Sequence, residues 1–139
     1  MIQRIQTIYL ILAALAAILM IFVPVGSIAD IESKTAVAIS VKQIFPLLLG
    51  CILSGIVAVV SIFLFRNYTL QMNVIKFNIL LGALLVGGLC YFLFLEPTTR
   101  ISMPGIGLPL PLFAIIFNFL ALKGVKHDHG LIKSYDRLR

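Results

Sequence analysis

Charge is what this chain has least of. Only 12% of its 139 residues are Asp, Glu, Lys or Arg, and five of those are acidic. Tryptophan is missing, and there are two cysteines and two histidines. A soluble domain carries about 25% charged and about 45–50% apolar residues, whereas the apolar share here is 61%. A water-soluble chain of this length cannot hide that much apolar surface, so lipid is expected to be part of the solvent. Scarcity also excludes chemistry. The chain has no Cys-x-x-Cys pair, no Cys/His set at metal-ligand spacing, no Ser/His/Asp arrangement and no phosphate-binding glycine loop. Neither catalytic residues nor a cofactor nor a metal is expected, and the chain does not read as an enzyme.

What is present is apolar and long. Four runs, Ile8–Gly26, Ile44–Phe65, Phe77–Leu95 and Gly105–Leu122, contain no Asp, Glu, Lys, Arg or His. Each approaches the ~20 residues a helix needs to cross a bilayer core. Lipid offers no partner to a free backbone, so each run should close its own hydrogen bonds as a helix. The expected fold is an all-α membrane protein, one domain of four transmembrane helices spanning about 8–26, 44–65, 77–95 and 105–122. The first run exceeds the ~7–15 residues of a signal-peptide core and lacks an Ala-x-Ala site, so it reads as a retained helix.

The net charge of +6 would raise the question of nucleic acid in a soluble protein. Here the basic residues lie between and beyond the apolar runs, which points to membrane orientation instead. With the N-terminus inside, Arg4, Arg66, Lys76, Lys123, Lys126, Lys133, Arg137 and Arg139 are cytoplasmic, against Lys34, Lys42 and Arg100 outside. Eight against three is a positive-inside bias. An inner-membrane protein with both termini cytoplasmic is expected. Tyr9, Tyr68 and Tyr91 read as interfacial anchors.

The loops differ. The inner one, 66–76, is short enough to make helices two and three an antiparallel hairpin. The outer stretches Lys34–Lys42 and Thr98–Met103 are rich in β-branched residues, and a short extracytoplasmic β-pairing between them is expected, with unpaired loops as the alternative. Pro104, Gly105, Gly107, Pro109 and Pro111 place the regular start of helix four near Pro109, with a bent or re-entrant entry before it. The tail, 123–139, reads as a basic interfacial segment. Its Lys123, Lys126, Lys133, Arg137 and Arg139 are expected to meet lipid or a partner.

Within the membrane, small residues suggest where helices meet. Helix two carries Gly50, Cys51, Ser54, Gly55, Ala58 and Ser61; helix three carries Gly82, Ala83, Gly87 and Gly88. Small residues three and four apart let backbones approach closely. Aligning the inner ends of the two runs places Gly55 level with Gly87 and Ser54 level with Gly88. Gly50, Ser54, Gly55, Ala58, Ala83, Gly87 and Gly88 are therefore the expected packing seam, with a ligand groove as the alternative. Cys51 and Cys90 fall at similar depth. They read as small hydrophobes, and a disulfide would require facing Cβ atoms. Asn78 and Asn118, near the inner ends of helices three and four, are expected to hydrogen-bond between helices. His127-Asp128-His129 reads as a solvated turn rather than a metal site.

The opening Met1-Ile-Gln-Arg-Ile-Gln-Thr7-Ile-Tyr-Leu10, with Ala121-Leu-Lys-Gly124 and the ending Ser134-Tyr-Asp-Arg-Leu-Arg139, resembles a family of small four-helix membrane proteins of Bacteroidota, the domain of unknown function 4293 family. The resemblance spans the chain and implies an inner-membrane location in a Gram-negative bacterium; it implies no activity. The expected role is a structural or accessory subunit contacting lipid and either other membrane subunits or a second copy of itself. A small oligomeric transporter or channel, suggested by the Pro/Gly-rich start of helix four, is the alternative.

Overall fold

The structure is a computed structural model that describes residues 3–29, 36–94 and 101–136. Helix α1 (Gln3–Phe22) leads into strand β1 (Pro24–Ala29). Strand β2 (Ala36–Ser40) follows, then a single 3-10 turn, Val41–Gln43, and helix α2 (Phe45–Phe63). Helix α3 (Tyr68–Phe94), strand β3 (Ile101–Pro104) and helix α4 (Leu110–Asp136) complete the chain. All four helices contain a stretch long and apolar enough to cross a membrane: Ile5–Phe22, Phe45–Phe63, Tyr68–Leu93 and Leu110–Leu131.

Helix ends follow backbone chemistry more closely than hydropathy. α1 stops where Pro24 cannot donate a further helical hydrogen bond, and the Val23 amide makes the last one, to Leu19 O at 2.9 Å. The expected first span therefore overshoots, since Pro24–Gly26 belong to β1. α2 begins with Pro46 in its first turn, where a missing N–H costs nothing. α3 begins at Tyr68 rather than Phe77. The hairpin turn shrinks to the segment 64–67, held by Leu64 N→Val60 O at 3.2 Å and Asn67 N→Leu64 O at 3.0 Å. Gln71 and Lys76 are polar but sound helix formers, so they end the apolar run without ending the helix. α4 starts at Leu110, close to the expected Pro109, and runs unbroken to Asp136. Through that residue the basic tail is a continuation of helix α4 rather than a separate helix.

The three strands form one antiparallel sheet in the order β2-β1-β3. Ser27 pairs with Ala38 on one side and Met103 on the other. The two outer stretches thus share a sheet without touching: β1, read from sequence as the end of the first span, lies between them. Pro24 opens β1, a position proline tolerates. Lys42 Nζ stands 4.4 Å from the Phe22 ring centroid, a cation–π contact linking the end of β2 to the end of α1.

The helices form a ring in which α1 packs on α2, α2 on α3, α3 on α4 and α4 back on α1. Each inward face repeats in alternating steps of four and three. The buried series are Gln6, Leu10, Ala13, Ala17 and Met20 on α1; Leu47, Cys51, Ser54, Ala58 and Ser61 on α2; Gln71, Ile75, Asn78, Gly82 and Leu85 on α3; and Ala114, Asn118, Ala121, Val125 and Asp128 on α4. That seven-residue period is the seam of left-handed helix packing. One apolar cluster, with Met20, Val25, Val41, Leu47, Cys51, Leu85 and Leu89, sits beneath the sheet, and a second, with Leu10, Ile75, Ala121 and Val125, sits toward the opposite end. The outward faces are apolar too: Phe45 and Phe63 are each 72% exposed and Leu84 65%, which in water would be untenable for a monomer.

Candidate functional site

Among the described residues, the polar side chains that fall in phase with these stripes build two hydrogen-bonded sets in the interior. Between the two apolar clusters, Ser54 Oγ on α2 donates to Asn78 Oδ1 on α3 at 2.8 Å. Asn78 Nδ2 in turn donates to Asn118 Oδ1 on α4 at 3.3 Å, and Asn118 Nδ2 to Ala114 O at 2.8 Å. The chain of donors crosses three helices, and Asn78 and Asn118 are 1% and 2% exposed. Apolar surroundings strengthen each bond and penalise any member left alone. These groups satisfy one another, which suits a device for setting helix register.

A second set lies toward the end of the bundle that holds the α2–α3 turn. Gln71 Nε2 reaches from α3 to Ser61 O on α2 at 3.1 Å. Gln6 Nε2 on α1 donates to Asp128 Oδ2 on α4 at 2.5 Å. Gly124 makes room for that contact, because a Cβ there would stand 2.8 Å from Gln6 Cγ. Asp128 is 6% exposed and its Oδ1 has no hydrogen-bond partner among the described residues. The neighbouring histidines go elsewhere: His129 stacks against Tyr68, with ring centroids 6.1 Å apart, while His127 is exposed. Successive helix positions diverge by about 100°, so the triplet does not converge. Among the described residues no three His, Cys, Asp or Glu side chains gather as a metal site.

The candidate span Leu110–Leu131 runs past the expected end at Leu122 and takes in Asp128 together with Lys123, Lys126, His127 and His129; of these, Asp128 is the one turned inward. Asp128 stands one step of three beyond Val125 on the buried stripe, and Gln6 and Gln71 begin the stripes of α1 and α3 in the same way. Following the seven-residue period past the apolar run finds all three.

The small residues sort by helical phase. Gly50, Ser54, Gly55, Gly82, Gly88 and Ala58 lie on or beside inward stripes, and Cβ atoms on Gly50, Gly82 and Gly88 would stand 2.7 Å from Leu85, 2.8 Å from Ile115 and 2.8 Å from Leu47. Gly55 faces Ile18 of α1 instead of α3. Ala83 and Gly87 are exposed, and a Cβ on Gly87 would meet nothing within 4 Å. They are not part of the α2–α3 seam, because each follows an inward position by one or two residues and so points away. The level pairs shift as well. Ser54 meets Asn78, ten residues before the expected Gly88, since α3 begins nine residues earlier than its apolar run. Cys51 is buried and Cys90 exposed, both as free thiols, and Cys51 Sγ lies 3.5 Å from Met20 Sδ. Lys123 and Lys126 are exposed and line a groove of about 510 Å³ with Tyr9 and His127. Lys133 lies in the last turns of α4, and Arg137 and Arg139 lie outside the described residues.

A family model described as "Domain of unknown function (DUF4293)" matches residues 2–138. The chain belongs to this family. Comparison with curated proteins and with solved structures gave no match. The DUF4293 match covers nearly the whole chain, including all four apolar helices.

Proposed function

We propose that this protein is a non-enzymatic accessory or structural subunit of an inner-membrane complex, with both termini cytoplasmic and the three-stranded sheet on the opposite side. The observation that carries this reading is the outward face of α3. Ala83, Gly87 and Cys90 follow one another at helical spacing on an exposed surface, and Gly87 forms a notch between the exposed side chains of Leu84 and Tyr91. In lipid, close backbone approach at small residues is a main source of helix association. The interior supports the same reading, because Ser54, Asn78 and Asn118 spend their polar groups on one another and leave few for a permeating solute. The Pro/Gly-rich start of α4, the motive for a transporter, is occupied in holding the sheet: Gly105 N donates to Val25 O and Gly107 N to Pro24 O.

Gly87→Ile tests the docking face. The substitution adds bulk where nothing is met and replaces a helix glycine, so the isolated protein should unfold at or slightly above the wild-type midpoint. In native membranes, bismaleimide cross-linking through exposed Cys90 should give a larger species with wild type and lose it with the variant. A wild-type chain that purifies in mild detergent as a monomer with no companion, and never cross-links, would reject the reading.

Orientation rests on the excess of basic residues at one end of the bundle. In a background lacking Cys51 and Cys90, Lys34→Cys should react with an impermeant maleimide on intact cells. Lys126→Cys should react only after permeabilisation; labelling of Lys126→Cys from outside would reverse the sidedness.

A further inference from the structure

A cleft of about 320 Å³ opens between α1, α2 and α3 at the end of the bundle that holds the α2–α3 turn. Its polar walls are Gln6, Thr7, Tyr68 and Gln71, and its apolar walls include Phe63 and Phe65. Among the described residues no lysine, arginine or histidine lines it. The two glutamines are arranged alike. Gln6 gives its Nε2 to Asp128 Oδ2 and Gln71 gives its Nε2 to Ser61 O. Each amide thus directs a donor into the bundle. Neither Oε1 makes a hydrogen bond with the described residues, and both side chains line the cleft. The two amide carbonyls are acceptors for a ligand, beside the hydroxyl-bearing Thr7 and Tyr68. Behind Gln6 stands a buried carboxylate whose second oxygen has no donor among the described residues, and its hydrogen bond to Nε2 polarises the Gln6 amide so that Oε1 becomes a stronger acceptor. A ligand for such a place must bring hydrogen-bond donors and positive charge. Aromatic walls suit a cation as well, through their ring faces.

We propose that this cleft binds a primary ammonium group, held by the Gln6 and Gln71 carbonyl oxygens against the Tyr68 and phenylalanine rings, with Asp128 as the countercharge behind. A primary ammonium has three N–H donors. A quaternary ammonium carries the same charge but has none, which separates donor recognition from charge alone. The ammonium could be the headgroup of phosphatidylethanolamine or a free amine.

The full chain, purified in a maltoside detergent, is exposed to equal amounts of phosphatidylethanolamine and phosphatidylcholine, and retained lipid is counted by native mass spectrometry. Wild type should retain phosphatidylethanolamine in preference, and Gln71→Leu and Asp128→Asn should each weaken that retention about tenfold, the scale of one charge-assisted hydrogen bond. Circular dichroism and elution volume identify any variant that has lost the fold. Gln71→Leu leaves Asp128 untouched and Asp128→Asn keeps the shape, so the two report independently. Ethanolamine is titrated in parallel. If it raises the unfolding temperature of wild type but of neither variant, while the two lipids are retained equally, the ligand is a free amine at the same site. Equal retention of both lipids with no response to ethanolamine overturns the proposal, and so does a preference that survives both substitutions.

Discussion

Gly105→Ala should destabilise the protein by roughly 3 kcal/mol, the upper range for inserting one carbon into a packed site. Gly105 follows β3 directly, and its amide donates to Val25 O at 2.9 Å. A Cβ at this position would press into Pro24 O and stand 2.7 Å from Val25 C and 2.8 Å from Gly26 N. All three are backbone atoms of the central strand, so no side chain can rotate away to relieve the clash. The strand would have to move, and β1 is paired on both edges and continuous with α1. Denaturation in mixed detergent micelles, followed by circular dichroism, measures the loss. Gly87→Ala is the control: with nothing within 4 Å, it should be neutral or stabilising by about 0.5–1 kcal/mol through helix propensity. Equal midpoints for the two variants would show that the start of α4 does not lie against β1.

Asn78→Leu should cost about 2 kcal/mol for a different reason. Asn78 accepts from Ser54 and donates to Asn118, so its removal strands groups on two other helices. A buried polar group left without a partner costs about 1–3 kcal/mol. Ser54 can recover part by turning to a carbonyl of its own helix; Asn118 Oδ1 has no such recourse. The companion Ser54→Ala should cost less, since interhelical hydrogen bonds in membranes average ~0.6 kcal/mol. The double variant should be less destabilised than the two losses added, because once the Asn78 amide is gone Ser54 has no partner left to lose. Strict additivity would mean that Ser54 and Asn78 do not share the bond. All three side chains are uncharged and buried, so the effect should be insensitive to salt.

Much of the architecture can be read without coordinates. Four uncharged stretches mark the four helices, and Pro109 marks the region where α4 begins at Leu110. Asn78 and Asn118 stand out as amides in apolar runs, and they do hydrogen-bond to each other. The sheet was half legible: β-branched content pointed to Ala36–Ser40 and Ile101–Pro104, while Pro24–Ala29, with its proline and glycine, carries little strand signal. Its strand character comes from having two neighbours to pair with.

The Gln6–Asp128 pair shows where a hydropathy reading stops. Transfer free energy is a property of each residue and sums along a segment, so the chain by itself determines how many apolar helices it has and roughly where they lie. Which residues of two helices lie level depends on how side chains far apart in sequence interlock, and that is a property of two surfaces together. The tertiary structure alone decided that Ser54 meets Asn78, that Gly87 looks outward, that β1 lies between β2 and β3, and that Asp128 is drawn inside against Gln6.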